Sequence, residues 1–172
     1  NAGAWGGEIS ENLIDVELIN SKNEIKKIPK KDLNFSYRKS SFQKDDILLS
    51  AKFDLKKADE NIIHENFIKA QSGRKNSQPL NQRSAGSLFK NPENNSAGKL
   101  LDEAGLKGFS IGDAVISDKH ANFFINNGKA SSNDMIRLIK KAHGEVLERF
   151  KINLSLEVKL IGFNEDEIEG LC

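Results

Sequence analysis

The sequence predicts an α+β fold divided into two units, and three observations indicate it. Apolar residues recur at every second position in 13–19 and 47–55, and at helical spacing in 59–70 and 136–150. A polar stretch at 71–81 separates the two parts. At 172 residues, 37% of them hydrophobic, the chain has enough apolar surface for one domain or two small ones.

The first unit is predicted to be rich in strands. Residues 13–19 and 25–28 flank the polar turn 20–23, a pattern typical of a hairpin. A short extended piece follows at 35–38. Residues 47–55 then place their apolar side chains on one face of a further strand.

A change of period predicts the first helix at 59–70. Its apolar stripe consists of Ile62, Ile63, Phe67 and Ala70. His64 lies beside that stripe, and we interpret it as a surface histidine rather than a ligand. The polar residues of 71–81 indicate a connection, so we place the domain boundary near Ser77.

The second unit is predicted to combine two helices with short strands. Asn95 or Ser96 can cap a helix over 97–104, and 109–117 and 121–126 are strand-like. Ser131 to Asp134 fits a capping box ahead of the second helix, whose apolar stripe consists of Ile136, Ile139, His143, Val146 and Phe150. His143 on that stripe is predicted to be a satisfied core histidine.

Alternation over 154–160 predicts a final strand. Its polar row carries Glu157 and Lys159. Such a row is usually solvated, so the spacing by itself assigns neither residue a role.

Composition argues against several classes of protein. With 26 basic and 25 acidic residues the net charge is +1, which gives no reason to expect nucleic acid or an acidic membrane as a partner. The single cysteine, Cys172, cannot form an internal disulfide, and the three histidines lack metal-site spacing. No apolar run or signal-peptide pattern suggests a membrane. We therefore expect a cytoplasmic protein without a metal.

Residues 84–92, SAGSLFKNP, are the most informative stretch. Small residues at 84–86 let the backbone approach a ligand, and Pro92 ends any regular element. The stretch is predicted to be a site-forming loop. Ser87 carries its candidate functional hydroxyl, although a Gly-Ser turn before an apolar residue more often marks the start of a helix than a proton donor.

Five segments in this order resemble one enzyme family. They are NAGAWGGE at 1–8, FSYRKSSF at 35–42, SQPL through SAGSLFKNP at 77–92, AGKLLDEAGLKG at 97–108 and LEVKLIG at 156–162. Together they are similar to UDP-N-acetylenolpyruvoylglucosamine reductase, also called UDP-N-acetylmuramate dehydrogenase, of bacterial peptidoglycan synthesis. The match runs from residue 1 to about 163.

The resemblance implies a flavoprotein in which NADPH reduces FAD. A hydride then passes to the enolpyruvyl double bond of UDP-N-acetylglucosamine enolpyruvate, giving UDP-N-acetylmuramate. It also implies three catalytic residues. Ser87 corresponds to the proton donor, and Arg38 and Glu157 correspond to the groups that stabilise the enolate.

The resemblance implies further contacts. Asn1, Gly3 and Lys159 fall at positions that border FAD. Trp5, Asn91 and His120 fall at positions near the substrate. Trp5 stands where tyrosine is commoner and lacks its hydroxyl, and Lys159 replaces an arginine and lacks its planar fork.

The resemblance also sets expectations for the organisation of the chain. Residues 1–76 would be the C-terminal part of an FAD-binding domain, 77–150 a smaller α+β substrate-binding domain, and 151–172 a strand returning to the first domain, followed by a tail. The short interval between Arg38 and Ser87 indicates the shorter form of the family. The first residues have the character of mid-domain sequence, so we expect the chain to be an N-terminally truncated fragment. We expect this fragment to bind FAD weakly or not at all, and the whole enzyme to be a monomer.

Two other functions remain open at this point. A binding module could hold a UDP-sugar without redox chemistry, and would keep its affinity when Ser87 becomes alanine. Another flavin oxidoreductase could accept electrons from NADPH but reduce a different acceptor.

Overall fold

The computed structural model describes residues 1–171, so Cys172 lies outside the described residues. The chain divides into two units, one covering Asn1–Ala70 and the other starting at Gln71. The mixture of helix and sheet confirms the predicted α+β class. The division falls at Ala70, ahead of the boundary expected at 76, and one helix runs through both positions.

The first unit is built from short antiparallel strands. They are β1 (Gly3–Ala4), β2 (Gly7–Glu8), β3 (Leu13–Ile19), β4 (Ile25–Pro29), β5 (Phe35–Ser36), β6 (Lys39–Ser40) and β7 (Ile47–Phe53). The order β4-β3-β7 forms a three-stranded sheet, which confirms the predicted hairpin and the strand after it. Pairs β1-β2 and β5-β6 each form a small ribbon.

The core of the first unit is small. Leu13, Val16 and Leu18 of β3 are buried, and Ile28, Leu33, Phe35 and Phe42 pack against them. Every residue of β7 is exposed, so the apolar face expected for this strand is not covered in the structure.

Helix α1 (Glu60–Ser77) is longer than predicted. The polar residues 71–77, expected as a connection, are helical because they include the good helix formers Gln71, Arg74 and Lys75, and the next proline comes only at Pro79. None of its residues is buried, and Phe67 on the predicted apolar stripe is 60% exposed. His64 is exposed, as predicted.

The second unit contains a four-stranded antiparallel sheet and two helices. Its remaining elements are β8 (Ser84–Ser87), α2 (Ala97–Glu103), β9 (Ser110–Ile111), β10 (Ala114–Ile116), β11 (Phe123–Asn126) and α3 (Ser132–Phe150). The strand order is β8-β11-β10-β9. The strand-like stretch 109–117 is thus two short strands joined by a turn, and 121–126 supplies β11.

A single hydrophobic core holds the second unit together. Its fully buried large side chains are Phe89, Leu100, Leu101, Ile116, Leu138, Ile139 and Val146. His143 is 8% exposed, and its Nε2–H donates to Oδ1 of Asn153 at 2.6 Å. This confirms the prediction of a satisfied core histidine.

Both helices begin where their capping residues predict. Ser96 Oγ accepts the N–H of Lys99 at the start of α2, and Ser131 with Asp134 forms a reciprocal capping box at the start of α3.

The predicted strand over 154–160 is not a regular strand. The segment forms one antiparallel bridge, in which Leu156 pairs with Phe89. Residues 152–171 group by their contacts with the second unit, and the return to the first domain that the resemblance implies stays a prediction. The functional names given to the domains stay predictions.

Candidate functional site

Ser87 lies at the end of β8, and not in a loop as predicted. It pairs with Phe123, and Ser84 pairs with Ile125, so β8 has one residue more than β11 between the two pairs. Gly86 takes up this extra residue with φ = +87°, a conformation that favours glycine. A bulge of this kind redirects the next side chain, and here that side chain is the half-buried Ser87.

The backbone after Ser87 is held on both of its edges. On one edge, Leu88 N–H donates to the carbonyl of Asn122 at 2.8 Å. On the other, Glu157 N–H donates to the carbonyl of Leu88 at 2.8 Å, and Lys90 N–H donates to the carbonyl of Ser155 at 2.8 Å. The structure therefore brings Ser87 and Glu157 into neighbouring segments, although many residues separate them in sequence.

Asn122 is a residue of this region that the sequence reasoning missed. It is 3% exposed, and its side chain makes two hydrogen bonds to the main chain of Phe89. The signal available in the sequence was a single polar residue within the otherwise apolar run 121–125, because an amide that is buried with such a run needs hydrogen-bond partners.

Glu157 and Lys159 have different surroundings. Glu157 is half-buried, while Lys159 is exposed. Lys159 lines a cavity of about 450 Å³ together with Ser84, Gly86, Phe124 and Val158. The cavity therefore combines backbone of the Ser87 strand, apolar side chains and two cationic residues, Arg83 and Lys159.

Asn91 connects the Ser87 segment to α2. Its Oδ1 accepts the N–H of Ala97 at 3.1 Å, the first residue of that helix. Asn91 is exposed. The residue thus fixes the loop between Phe89 and the helix.

His120 is half-buried and has a defined tautomer. Its Nδ1 accepts the main-chain N–H of Asn122 at 3.2 Å, so the proton of the neutral ring is on Nε2. Burial lowers the pKa of His120 below its ordinary value, and the charge of Lys107 acts in the same direction. Its ring packs edge-on against Phe123 with centroids 4.9 Å apart. His120 can therefore donate a hydrogen bond through Nε2 while it remains neutral.

Arg38 is the candidate cation of the first unit. Its Nη2 donates to the carbonyl of Gly3 at 3.1 Å, and its guanidinium lies 4.8 Å from the centre of the Tyr37 ring. A Cβ on Gly3 would lie 3.0 Å from the carbonyl oxygen of Gly7 and 3.4 Å from Nη1 of Arg38. Glycine at position 3 thus makes room for the paired strand β2, since the contact with Arg38 would be of ordinary length.

Asn1 and Trp5 lie in the same small ribbon region. Asn1 Nδ2 donates to Glu8 at 2.7 Å and to the carbonyl of Ser36 at 3.2 Å, and its Oδ1 accepts the N–H of Ser10. The Asn1 side chain therefore binds the fold itself. Trp5 is 65% exposed, with φ = +55°.

The site residues are thus divided between the two units. Asn1, Gly3, Trp5 and Arg38 belong to the first, and Ser87, Asn91, His120, Glu157 and Lys159 to the second. Within residues 1–171 no three His, Cys, Asp or Glu side chains are grouped so that they could hold a metal ion. No helix in the same range is long and apolar enough to cross a membrane.

Comparison with known proteins gives one consistent family. Residues 78–161 match the family described as UDP-N-acetylenolpyruvoylglucosamine reductase, C-terminal domain. The chain is 45% identical over 161 residues to the UDP-N-acetylenolpyruvoylglucosamine reductase of Aquifex aeolicus, a match that covers 94% of this chain and 54% of the relative. The reductase of the same name from Agathobacter rectalis is 43% identical, with 94% and 52% covered.

A solved structure supports the same relationship. The crystal structure of UDP-N-acetylenolpyruvylglucosamine reductase from Thermus caldophilus superposes with a TM-score of 0.80 and 36% identity, covering 92% of this chain and 56% of that one. The chain thus spans about half the length of the curated relatives it matches.

Proposed function

This chain belongs to the UDP-N-acetylenolpyruvoylglucosamine reductase family, and on that premise we propose that it forms part of an enzyme reducing UDP-N-acetylglucosamine enolpyruvate to UDP-N-acetylmuramate. The reaction would serve peptidoglycan synthesis in the cytoplasm, in the shorter form of the family. The observation that carries the proposal is the main-chain link between the Ser87 segment and Glu157.

FAD and NADPH are the proposed cofactors, and Asn1, Gly3 and Lys159 are the residues proposed to border the flavin. Lys159 is exposed and cationic, which suits a position beside a ring that gains negative charge on reduction. Asn1 uses its amide within the fold, so it would border a flavin through its main chain. The bound flavin would supply the hydride.

Ser87 is the proposed proton donor. Hydride adds to the terminal methylene of the enolpyruvyl group, and the electron pair of the double bond moves onto the carbon beside the carboxylate. The Ser87 Oγ–H proton then forms the new C–H bond at that carbon. A hydroxyl can act in this way only because the enolate is strongly basic and lies within hydrogen-bond reach.

Arg38 and Glu157 are the proposed stabilising groups. The planar guanidinium of Arg38 can hold the substrate carboxylate in a bidentate pair, and the Gly3 carbonyl and the Tyr37 ring restrict its orientation. Glu157 can stabilise the enolate when it presents a proton toward it, because a bare carboxylate would repel the developing charge.

Three further residues are proposed to contact the substrate. Asn91 would lie near the diphosphate, at the loop it fixes to α2. His120 would donate from Nε2, since its Nδ1 already accepts a hydrogen bond. Trp5 has its indole exposed and would cover part of the sugar.

The test requires a complete, monomeric reductase that carries this chain. NADPH oxidation is followed with and without UDP-N-acetylglucosamine enolpyruvate. Ser87→Ala should lower the substrate-dependent rate at least a hundredfold, roughly the contribution of a positioned acid. Ser155→Ala is the control, because Ser155 bonds Lys90 through its carbonyl and the replacement keeps that bond.

The same assay, together with a measurement of UDP-sugar binding, separates the other candidate functions. UDP-sugar binding without any NADPH oxidation would indicate a binding module. Flavin reduction by NADPH without turnover of the enolpyruvate would indicate a reductase with another acceptor. Either result would overturn the proposal.

A further inference from the structure

We propose that Asn122 is a positioning residue that sets the placement of Ser87 relative to Glu157. The inference rests on the proposed function, in which both side chains act on one substrate double bond. Asn122 itself would touch neither substrate nor cofactor, because it acts through the main chain of residues 88–90.

The side chain of Asn122 behaves like a peptide group of a neighbouring strand. Phe89 N–H donates to its Oδ1 at 2.9 Å, and its Nδ2 donates to the carbonyl of Phe89 at 2.8 Å. The Asn122 carbonyl accepts the N–H of Leu88. One residue thus satisfies three main-chain groups, in a region from which water is excluded.

A side chain is needed there because the regular ladder stops. The β8–β11 pairing ends at Ser87 and Phe123, just after the bulge. Beyond it, the main chain of Phe89 would have buried donor and acceptor groups without strand partners. Asparagine carries a donor and an acceptor side by side, and it continues the ladder by one residue.

The opposite edge of the same stretch carries Glu157. Leu88 accepts from Glu157 N–H, and Lys90 donates to Ser155, each at 2.8 Å. The main chain of 88–90 is therefore clamped between Asn122 and the segment 155–157. A shift of this stretch would move Ser87, which immediately precedes it, relative to Glu157.

Asn122→Asp is the sharpest variant, since it keeps shape and acceptor but loses the donor. The introduced oxygen would face the Phe89 carbonyl, so the clamp opens at that bond. Asn126→Asp is the matched control on the same strand. Asn126 uses only Oδ1, which accepts from Gly128 at 3.0 Å and Ala130 at 3.1 Å, so a carboxylate retains both bonds.

The decisive measurement treats the two half-reactions separately in a complete reductase. Asn122→Asp should change flavin reduction by NADPH by less than about twofold. Reoxidation by UDP-N-acetylglucosamine enolpyruvate should slow at least about tenfold, as expected for a displaced proton donor. Asn126→Asp should leave both rates unchanged. Unchanged reoxidation in Asn122→Asp, or equal slowing of both half-reactions, would overturn the proposal.

Amide hydrogen exchange on this chain gives a second readout. Exchange at Phe89 and Glu157 should accelerate in Asn122→Asp and stay at the wild-type rate in Asn126→Asp. Wild-type exchange at both amides in Asn122→Asp would contradict the clamp. If Asn122→Asp does not fold, Asn122→Ser, which admits water in place of the amide, is measured in the same two ways.

These readouts also separate the two proposals. If the wild-type enzyme does not turn over the enolpyruvate, the proposed function fails while the exchange data still report on the clamp. If Ser87→Ala abolishes turnover but Asn122→Asp does not slow it, the function stands and the positioning role fails.

Discussion

The main-chain N–H of Glu157 donates a hydrogen bond to the carbonyl of Leu88 at 2.8 Å. Because this bond uses no side-chain atom, position 157 can be altered chemically without removing it. The carboxyl group of Glu157 can therefore be tested separately from the placement of its segment.

Glu157→Gln should slow the enolpyruvate-dependent half-reaction by a factor of about 10² to 10³, the usual cost of removing one group that stabilises an oxyanion. The glutamine amide keeps the size of the side chain but lacks the acidic proton that a protonated Glu157 would present to the enolate. Stopped-flow reoxidation of the reduced enzyme measures the effect. Glu165→Gln, in the exposed Glu165–Glu167 turn, is the control and should behave as wild type. Equal rates in the two variants would remove Glu157 from the mechanism.

Gly86→Ala should displace Ser87 through the backbone alone. A Cβ on Gly86 would meet nothing within 4 Å, so the cost comes from its φ of +87° and is about 1–2 kcal/mol. Gly170→Ala is a matched control, with φ = +81° and equally open space. Both variants should lose similar stability in thermal unfolding. Only Gly86→Ala should slow enolpyruvate reduction, and a normal rate in that variant would show that the bulge is irrelevant to Ser87.

The stability of the second unit should depend on pH through His120. Burial lowers the pKa of His120 in the folded chain. Between that value and the ordinary one, near 6.5, the unfolded chain binds a proton that the folded chain does not. The free energy of unfolding should therefore fall as pH drops below about 6.5, and level off below the folded value.

Denaturation monitored by far-ultraviolet circular dichroism measures how the free energy of unfolding depends on pH. Fluorescence would not serve, because the single Trp5 and single Tyr37 both lie in the first unit. His120→Gln should flatten the curve between pH 5 and 7, roughly the range in which histidine titrates. His64→Gln, at an exposed position on α1, should keep the wild-type slope. The same slope in both variants would exclude His120 as the source.

Ser131→Ala should destabilise α3 by about 1 kcal/mol. The variant loses the bond that Ser131 Oγ accepts from Asp134 N–H at 3.1 Å and the one it donates to Asp134 Oδ2 at 2.7 Å. Ser132→Ala, at the next and exposed position, is the control and should stay within about 0.5 kcal/mol. The midpoint of thermal unfolding measures both. A stable Ser131→Ala would mean that the capping box adds nothing to the fold.

The sequence determined the elements whose signals are local. The period-two pattern of 13–19, the cap at Ser96 and the capping box at Ser131 each act within a few residues, and β3, α2 and α3 form where these patterns predict. The resemblance to a reductase family likewise followed from short segments in order, and the comparisons bear it out.

The tertiary structure alone decided how the candidate site is held. The bulge at Gly86 depends on the register between β8 and β11, and the Asn122 clamp joins residues 33 positions apart. The segment 154–160 pairs through one bridge to Phe89 instead of forming the regular strand its alternation suggested. Such features depend on hydrogen-bond partners supplied by distant parts of the chain, and local side-chain periodicity carries no information about which partner a main-chain group will find.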